Sequence, residues 1–481
     1  MNYQMLRYIM GQIFKLTAAL MGVPLMTALY YRDDGAVPIL VVLLPLLFAG
    51  YVMTSRKPVR QTIYAREGFV IVAFAWILMS VFGALPFVIS GDIPNFIDAL
   101  FETVSGFTTT GSTLLPDVES MPMSLIMWRS FTHWIGGMGV LVFALALLPS
   151  GSAQSMYIMR AEVPGPSVGK LVAKTQLTAR ILYGIYIFFT VLEAGLLRLT
   201  GMRWFDCIAN AFATAGTGGF SVLNSGIGGY GNVWVEIVIT VFMLIFSINF
   251  NLFYMLLIRQ FSEVLRNVEI KVFFGIYLTT TLLITRNIMP LYGGSFWRAL
   301  RYAGFTTASL CSSTGFGTAD FTLWPAFSQT ILILLMFCGA CAGSTGGGLK
   351  VARVMILVKS GVSEIRRQLN PRLISTVKLE GQVVENEQIR TQGAFFILYM
   401  VILLVSTLLL SMDRYSFDVS FSAALTALNN MGPGLGAIGP YGNFANFTPF
   451  SKLVIIFDML VGRLEIFPIL IAFMPRTWKK A

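Results

Sequence analysis

The chain has 481 residues, of which 56% are hydrophobic and only 12% charged, and its formal net charge is +11. Its mean hydropathy is +0.74, and its charged fraction is about half that of an ordinary soluble domain. Apolar runs of roughly 20 residues, enough to cross a bilayer, recur from end to end, so there is no room for a sizeable soluble domain. The excess positive charge is not a nucleic-acid signature, because the basic residues fall in alternate loops.

Two spans come first, near 12–31 and 37–55. Arg7 and Lys15 stand before its main apolar stretch, but no small-residue cleavage site follows, so it reads as a retained helix and not a signal peptide. Four helix–hairpin–helix units follow, at roughly 68–149, 181–259, 270–360 and 391–475. The fold class is therefore an all-α integral membrane protein with about ten transmembrane helices. We divide it into two extra N-terminal helices at 1–60 and repeats at 61–165, 166–265, 266–385 and 386–481.

Within each unit the stretch before the hairpin is too short to span, as in 96–108, 205–215 and 417–429, which fits a half-membrane pore helix. The hairpins read Thr109-Thr110-Gly111-Ser112, Gly216-Thr217-Gly218-Gly219, Ser313-Thr314-Gly315-Phe316-Gly317 and Asn430-Met431-Gly432-Pro433-Gly434. Taking Gly111, Gly218, Gly315 and Gly432 as centres, the intervals are 107, 97 and 117 residues. Irregular backbone at membrane depth is tolerated where it lines an aqueous cavity or is buried in protein, and four hairpins converging on one axis meet that condition.

Basic clusters lie at Arg56, Lys57, Arg60 and Arg66, then at Arg160, Lys170, Lys174 and Arg180, and at Arg259, Arg266 and Lys271. The run from Lys350 and Arg353 to Arg390 and the tail Arg476, Lys479 and Lys480 complete them. Intervening loops are poor in Lys and Arg and carry Asp92, Asp98, Glu102, Asp117 and Glu119. The positive-inside rule puts the basic loops and both termini in the cytoplasm and lets all four hairpins enter from outside. That shared orientation disfavours an inverted-repeat transporter, whose halves have opposite topology.

A dehydrated monovalent cation needs rings of oxygen ligands, and backbone carbonyls supply them without fixed charge. Thr110, Thr217 and Thr314 precede their glycines while Met431 stands in the fourth copy, so a four-fold ring of threonine hydroxyls is not expected. Asp98, Asp206 and Asp418 lie 13, 12 and 14 residues before the chosen glycines. They suit the positive ends of pore-helix dipoles, or an acidic outer mouth that concentrates cations. The third repeat has Trp297-Arg298 in that region.

Between Trp324 and Ser360 the apolar run is interrupted by Gly339-Ala340-Cys341-Ala342-Gly343-Ser344-Thr345-Gly346-Gly347-Gly348. So many glycines break a helix. The stretch is not a phosphate loop, because Leu349 separates Gly348 from Lys350. It reads as an intramembrane gate, or as a site of close helix packing. Arg463 in the last span requires a cavity or a partner, such as Asp458 or Glu465. His133, the single histidine, reads as a packed residue. Cys338 and Cys341 read as small buried hydrophobes. No nucleophile–base–acid set supports an enzyme, and no buried carboxylate relay is evident.

Together the four hairpins, the Gly343–Lys350 break and the stretch Gly462-Arg463-Leu464-Glu465-Ile466-Phe467-Pro468 resemble the Trk/Ktr/HKT superfamily of potassium transporters, over essentially the whole chain. The two extra N-terminal helices and Ala161-Glu162-Val163-Pro164-Gly165-Pro166 resemble its longer, Trk-type bacterial members. The resemblance implies potassium uptake across the bacterial inner membrane by a homodimer with one pore per protomer. It also implies a TrkA-like cytoplasmic regulatory subunit that binds NAD or ATP, with no organic cofactor on this chain. Filter glycines in all four repeats go with potassium preference in that family, which Gly111 satisfies; the family's gating loop corresponds to Gly339–Lys350 and its pore arginine to Arg463. A channel-like pore and a potassium symporter coupled to H+ or Na+ both fit these residues.

Overall fold

The computed structural model describes residues 2–58, 64–139, 175–372, 376–380 and 382–478. Arg60, Arg160, Lys170, Lys174, the Ala161–Pro166 stretch, Lys479 and Lys480 lie outside the described residues. The protein is helical and crosses the membrane many times. Among the described residues β-structure is limited to Lys378–Leu379 paired antiparallel with Gln382–Val383.

Six helices are long and apolar enough to span: Tyr3–Tyr31, Ala36–Thr54, Arg66–Ser90, Ala179–Leu199, Val268–Tyr292 and Asn386–Asp413. The first begins earlier than its apolar run, because the Asn2 side chain accepts from the Met5 N–H and caps it. It packs on Ala36–Thr54 through glycines: a Cβ at Gly50 would come within 2.9 Å of the Gly11 carbonyl oxygen. Such small-residue contacts bring membrane helices close together.

The second helices of the repeats account for the remainder of the expected ten, and each described one is interrupted or short. Met123–Gly137 ends on the pair Gly136-Gly137; Val233–Phe246 and Phe250–Leu257 meet at 89°; Ala326–Cys338 stops at the glycine cluster; Pro449–Arg463 resumes as Phe467–Phe473. The sequence marks only the third as broken. In the second repeat Asn249 starts a new helix by accepting from Asn251 N–H at 3.0 Å. In the fourth, Glu465 and Ile466 take φ of 54° and 64°.

Four half-membrane helices sit inside this frame: Phe96–Phe107, Trp204–Ala215, Phe296–Cys311 and Phe417–Asn429. A 12-residue helix is about 18 Å long, against a hydrocarbon core of about 30 Å. Each packs against the second helix of the preceding repeat, the first against Pro449–Arg463, which closes the set into a ring. Two of the four seams carry ion pairs, Lys452–Asp98 at 2.7 Å and Arg301–Glu236 at 2.5 Å. The other two carry aromatic contacts, Trp134–Phe212 and Phe337–Phe421.

Candidate functional site

All four short helices end in the same way. The N–H groups of Thr109, Thr217, Ser313 and Asn430 reach back three residues, to the carbonyls of Gly106, Thr214, Leu310 and Ala427, at 2.8–3.2 Å. The next N–H groups, of Thr110, Gly218, Thr314 and Met431, reach back five, to Ser105, Ala213, Ser309 and Thr426, at 2.8–2.9 Å. The first residue of each pair is left-handed, with φ of 57°, 53°, 59° and 51°. These wrapping bonds satisfy carbonyls that a helix end would otherwise leave unpaired.

The repeated pattern corrects the register of the second hairpin by one residue. Gly219, not Gly218, is the counterpart of Gly111, Gly315 and Gly432, while Gly218 stands level with Thr110, Thr314 and Met431, and Thr217 with Thr109. Gly111, Gly219 and Gly315 share φ of 80°, 79° and 84°, a region that glycine enters without steric penalty. With this alignment Asp206 precedes its glycine by 13 residues, as Asp98 does.

The four hairpins touch in cyclic order. A Cβ added to Gly111 would lie 1.9 Å from the Gly218 carbonyl oxygen, and one on Gly219 would lie 2.0 Å from that of Thr314. On Gly315 it would meet Pro433 Cδ at 2.9 Å, and on Gly432 the Gly111 carbonyl oxygen, also at 2.9 Å. All four glycines line one cavity of about 110 Å³. The side chains before them do not form a hydroxyl ring. Thr110 and Thr314 hydroxyls bond to Thr108 and Ser312 at 2.8 and 2.6 Å, and Met431 is fully buried.

Behind this ring lies a brace that the sequence gives no sign of. Arg129 Nε pairs with Glu102 Oε1 at 2.6 Å, and Arg129 Nη1 donates to the Ser221 carbonyl at 3.1 Å. Glu102 also accepts from the Thr113 hydroxyl and the Leu114 N–H, each at 2.9 Å. The buried pair thus ties the first hairpin to the second, and Arg129 lines the cavity. His133 is a packed residue, as expected: Nδ1 lies 2.8 Å from the Gly106 carbonyl oxygen and Nε2 accepts from Phe220 N–H at 3.3 Å. At the rim, Asn224 donates to Asp117 at 2.7 Å, which holds that carboxyl below its usual range.

The glycine-rich break crosses directly beneath the ring. Gly347 N–H donates to the Ser313 hydroxyl, and Gly348 N–H donates to the Asn429 carbonyl at 3.0 Å. A Cβ on Gly347 would fall 2.1 Å from that carbonyl oxygen and one on Gly346 2.7 Å from the Ser312 oxygen. The Thr345 hydroxyl reaches the Phe246 carbonyl at 3.1 Å, and the Gly343 carbonyl accepts from Phe250 N–H at 3.1 Å. The Ser344 hydroxyl bonds Cys341, and Lys350 Nζ donates to the Gly346 carbonyl. Lys350 and Arg353 are buried within the protein rather than exposed in a basic loop, because the break folds inward.

Arg463 joins the loop to the first repeat. Its guanidinium donates to Thr345 O at 3.1 Å, to Gly137 O at 2.7 Å and to Gly136 O. Of the partners considered from sequence, Asp458 accepts instead from Ser406 at 2.8 Å and Glu465 pairs with Arg353 at 2.9 Å. A charged donor on backbone carbonyls is a strong hydrogen bond at this depth.

The acidic residues fall in first turns, where the helix dipole favours them. Asp98 pairs with Lys452 and Asp206 with Arg203, and the cavity wall contains neither of them nor Asp418. The sequence offered Asp458 only as a partner for Arg463, and gave no sign of Glu193 or of the brace. Glu193, in Thr175–Leu199, and Asp458, in Pro449–Arg463, are both fully buried in spans. Among the described residues no group of acidic, His or Cys side chains could hold a metal ion.

Residues 41–289 and 297–480 match the family described as "TrkH: Cation transport protein". The chain belongs to the TrkH family. It is thus a multi-pass membrane transport protein and not an enzyme. It is 34% identical to the Trk system potassium uptake protein TrkH of Salmonella typhimurium, and equally to that of Escherichia coli K12, with 100% of each chain covered. It is 33% identical to the Escherichia coli TrkG protein over 95% of this chain and 94% of that one. The crystal structure of the potassium transporter TrkH from Vibrio parahaemolyticus superposes with a TM-score of 0.88 at 31% identity, covering 100% of both chains.

Proposed function

We propose that this chain is a potassium uptake pore of the bacterial inner membrane, with both termini cytoplasmic and the repeats divided at 61, 166, 266 and 386. The observation that carries the reading is the cyclic contact of four hairpins, in which glycine faces a neighbour's carbonyl or backbone. Carbonyls so arranged replace the water shell of a monovalent cation. The Trk potassium uptake proteins it resembles carry that ion in their names.

The ring residues are Thr110 and Gly111, Gly218 and Gly219, Thr314 and Gly315, and Met431 and Gly432. The Gly343–Gly348 stretch with Lys350 and Arg463 is the gate, because it fills the axis beneath the ring. The resemblance further supports a homodimer and a cytoplasmic subunit binding NAD or ATP. The buried Glu193 and Asp458 favour a second reading, a symporter obligately coupled to H+ or Na+.

Purified protein in liposomes separates the two. Rubidium flux is expected under a potassium gradient alone; a strict requirement for a proton or sodium gradient would establish the symporter instead.

A further inference from the structure

The glycine-rich break leaves its span after Cys338 and rejoins it at Val351. One side chain fastens the flanks of this break together. Glu269, in the first turn of Val268–Ile288, is buried, and its Oε1 accepts from Ala342 N–H at 2.7 Å and from Ala352 N–H at 3.1 Å. Ala342 opens the stretch that crosses the axis. Ala352 lies in the first turn of Val351–Leu369, where an N–H has no partner within the helix and the dipole favours a carboxylate. A single oxygen therefore holds both ends, and displacing it releases both.

The same first turn is tied to a second segment of the chain. Asn267 caps the helix by accepting from Ile270 N–H at 2.9 Å, while its amide donates to Glu380. Glu380 belongs to the small Lys378–Val383 hairpin, whose Lys378 carbonyl also accepts from Lys359 of Val351–Leu369 at 2.9 Å. This hairpin thus grips the helix that bears Glu269 and the helix that Glu269 caps. Its displacement moves the carboxylate relative to both N–H groups.

We infer that Glu269 is the latch of the intramembrane loop, and that the Lys378–Val383 hairpin, linked to it through Asn267, is the handle by which the cytoplasmic face works it. The inference rests on the loop being the gate, as proposed above. Glu269 acts by positioning the loop and touches no ion.

The test uses the full-length protein in liposomes with rubidium as the probe. Glu269→Ala is expected to raise flux about fivefold or more at an unchanged potassium-to-sodium ratio, and Asn267→Ala to raise it in the same direction. Glu269→Gln keeps an oxygen that can accept both N–H groups and should stay within about twofold of wild type. Maleimide labelling of Cys341, buried beside Ala342, read by mass spectrometry, should rise in Glu269→Ala while labelling of the buried Cys207 does not. Shortening Gly343–Gly348 is run in parallel, and adding Glu269→Ala to it should give no further increase. If the shortened loop raises flux while Glu269→Ala and Asn267→Ala leave both flux and Cys341 labelling unchanged, the latch is overturned and the gate stands. If the shortened loop itself leaves flux at the wild-type level, the gate falls and the latch with it.

Discussion

The hairpin ring and the loop beneath it are both irregular backbone in a membrane, yet they are held in opposite ways. Each hairpin is closed by its own helix, through the same two wrapping hydrogen bonds in every repeat. The loop instead takes partners from the second, third and fourth repeats, Phe246, Ser313, Asn429 and Arg463, and reaches the first only through the bonds of Arg463 to Gly136 and Gly137. A segment satisfied by its own helix stays put when its neighbours shift. One that leans on neighbours as well as on bonds within itself, such as Ser344 to Cys341 and Lys350 to Gly346, moves with them. On the function proposed above, selectivity would rest on the first kind of construction and gating on the second.

The sharpest way to break this comparison is at the ring. Gly219→Ser places a Cβ about where the Thr314 carbonyl oxygen lies, at 2.0 Å, on a left-handed backbone. Gly111→Ser makes the matching collision with Gly218. Both should reduce discrimination against sodium, by about tenfold or more, in paired potassium and sodium flux assays. Gly218→Ser should behave differently, because its Cβ meets the His133 ring at 2.3 Å, so it should lower folded yield more than selectivity. Equal selectivity losses at 218 and 219 would refute the register.

Arg463→Ala tests the borrowed partners. It strips donors from Thr345, Gly136 and Gly137, and charged hydrogen bonds are worth about 1.5–3 kcal/mol each before relaxation. Flux should rise severalfold and the thermal midpoint should fall, with the potassium-to-sodium ratio unchanged. A changed ratio would mean that ring and loop are not separately held. The smallest effect is expected from Asp98→Asn. Its pair with Lys452 is partly exposed, and such pairs contribute about 0.2–1 kcal/mol. Flux at low salt should change less than twofold, whereas a large drop would restore the acidic outer mouth.

Much of this architecture is legible in the chain, and what is missed has identifiable causes. Hairpins and short helices announce themselves through glycine and length. The second register slipped because Thr217-Gly218-Gly219 offers two glycines, and the left-handed turn at Thr217 chooses between them. The spacing of Asp206 held the clue. Breaks in the second and fourth repeats carry no glycine at their centres, being made by the cap of Asn249 and by the strained pair Glu465 and Ile466. Glu102, Arg129 and Glu269 act on residues made adjacent only by folding, and no spacing along the chain reports such partners.

Arg463 also shows what a single polypeptide gains over four identical subunits. In a closed assembly of identical chains, whatever stands near the axis stands there in every copy. Four guanidiniums beneath a ring of carbonyls would repel one another and any cation above them. Writing the repeats into one chain lets this molecule place Arg463 there once instead of four times, pinning the loop without a four-fold ring of charge.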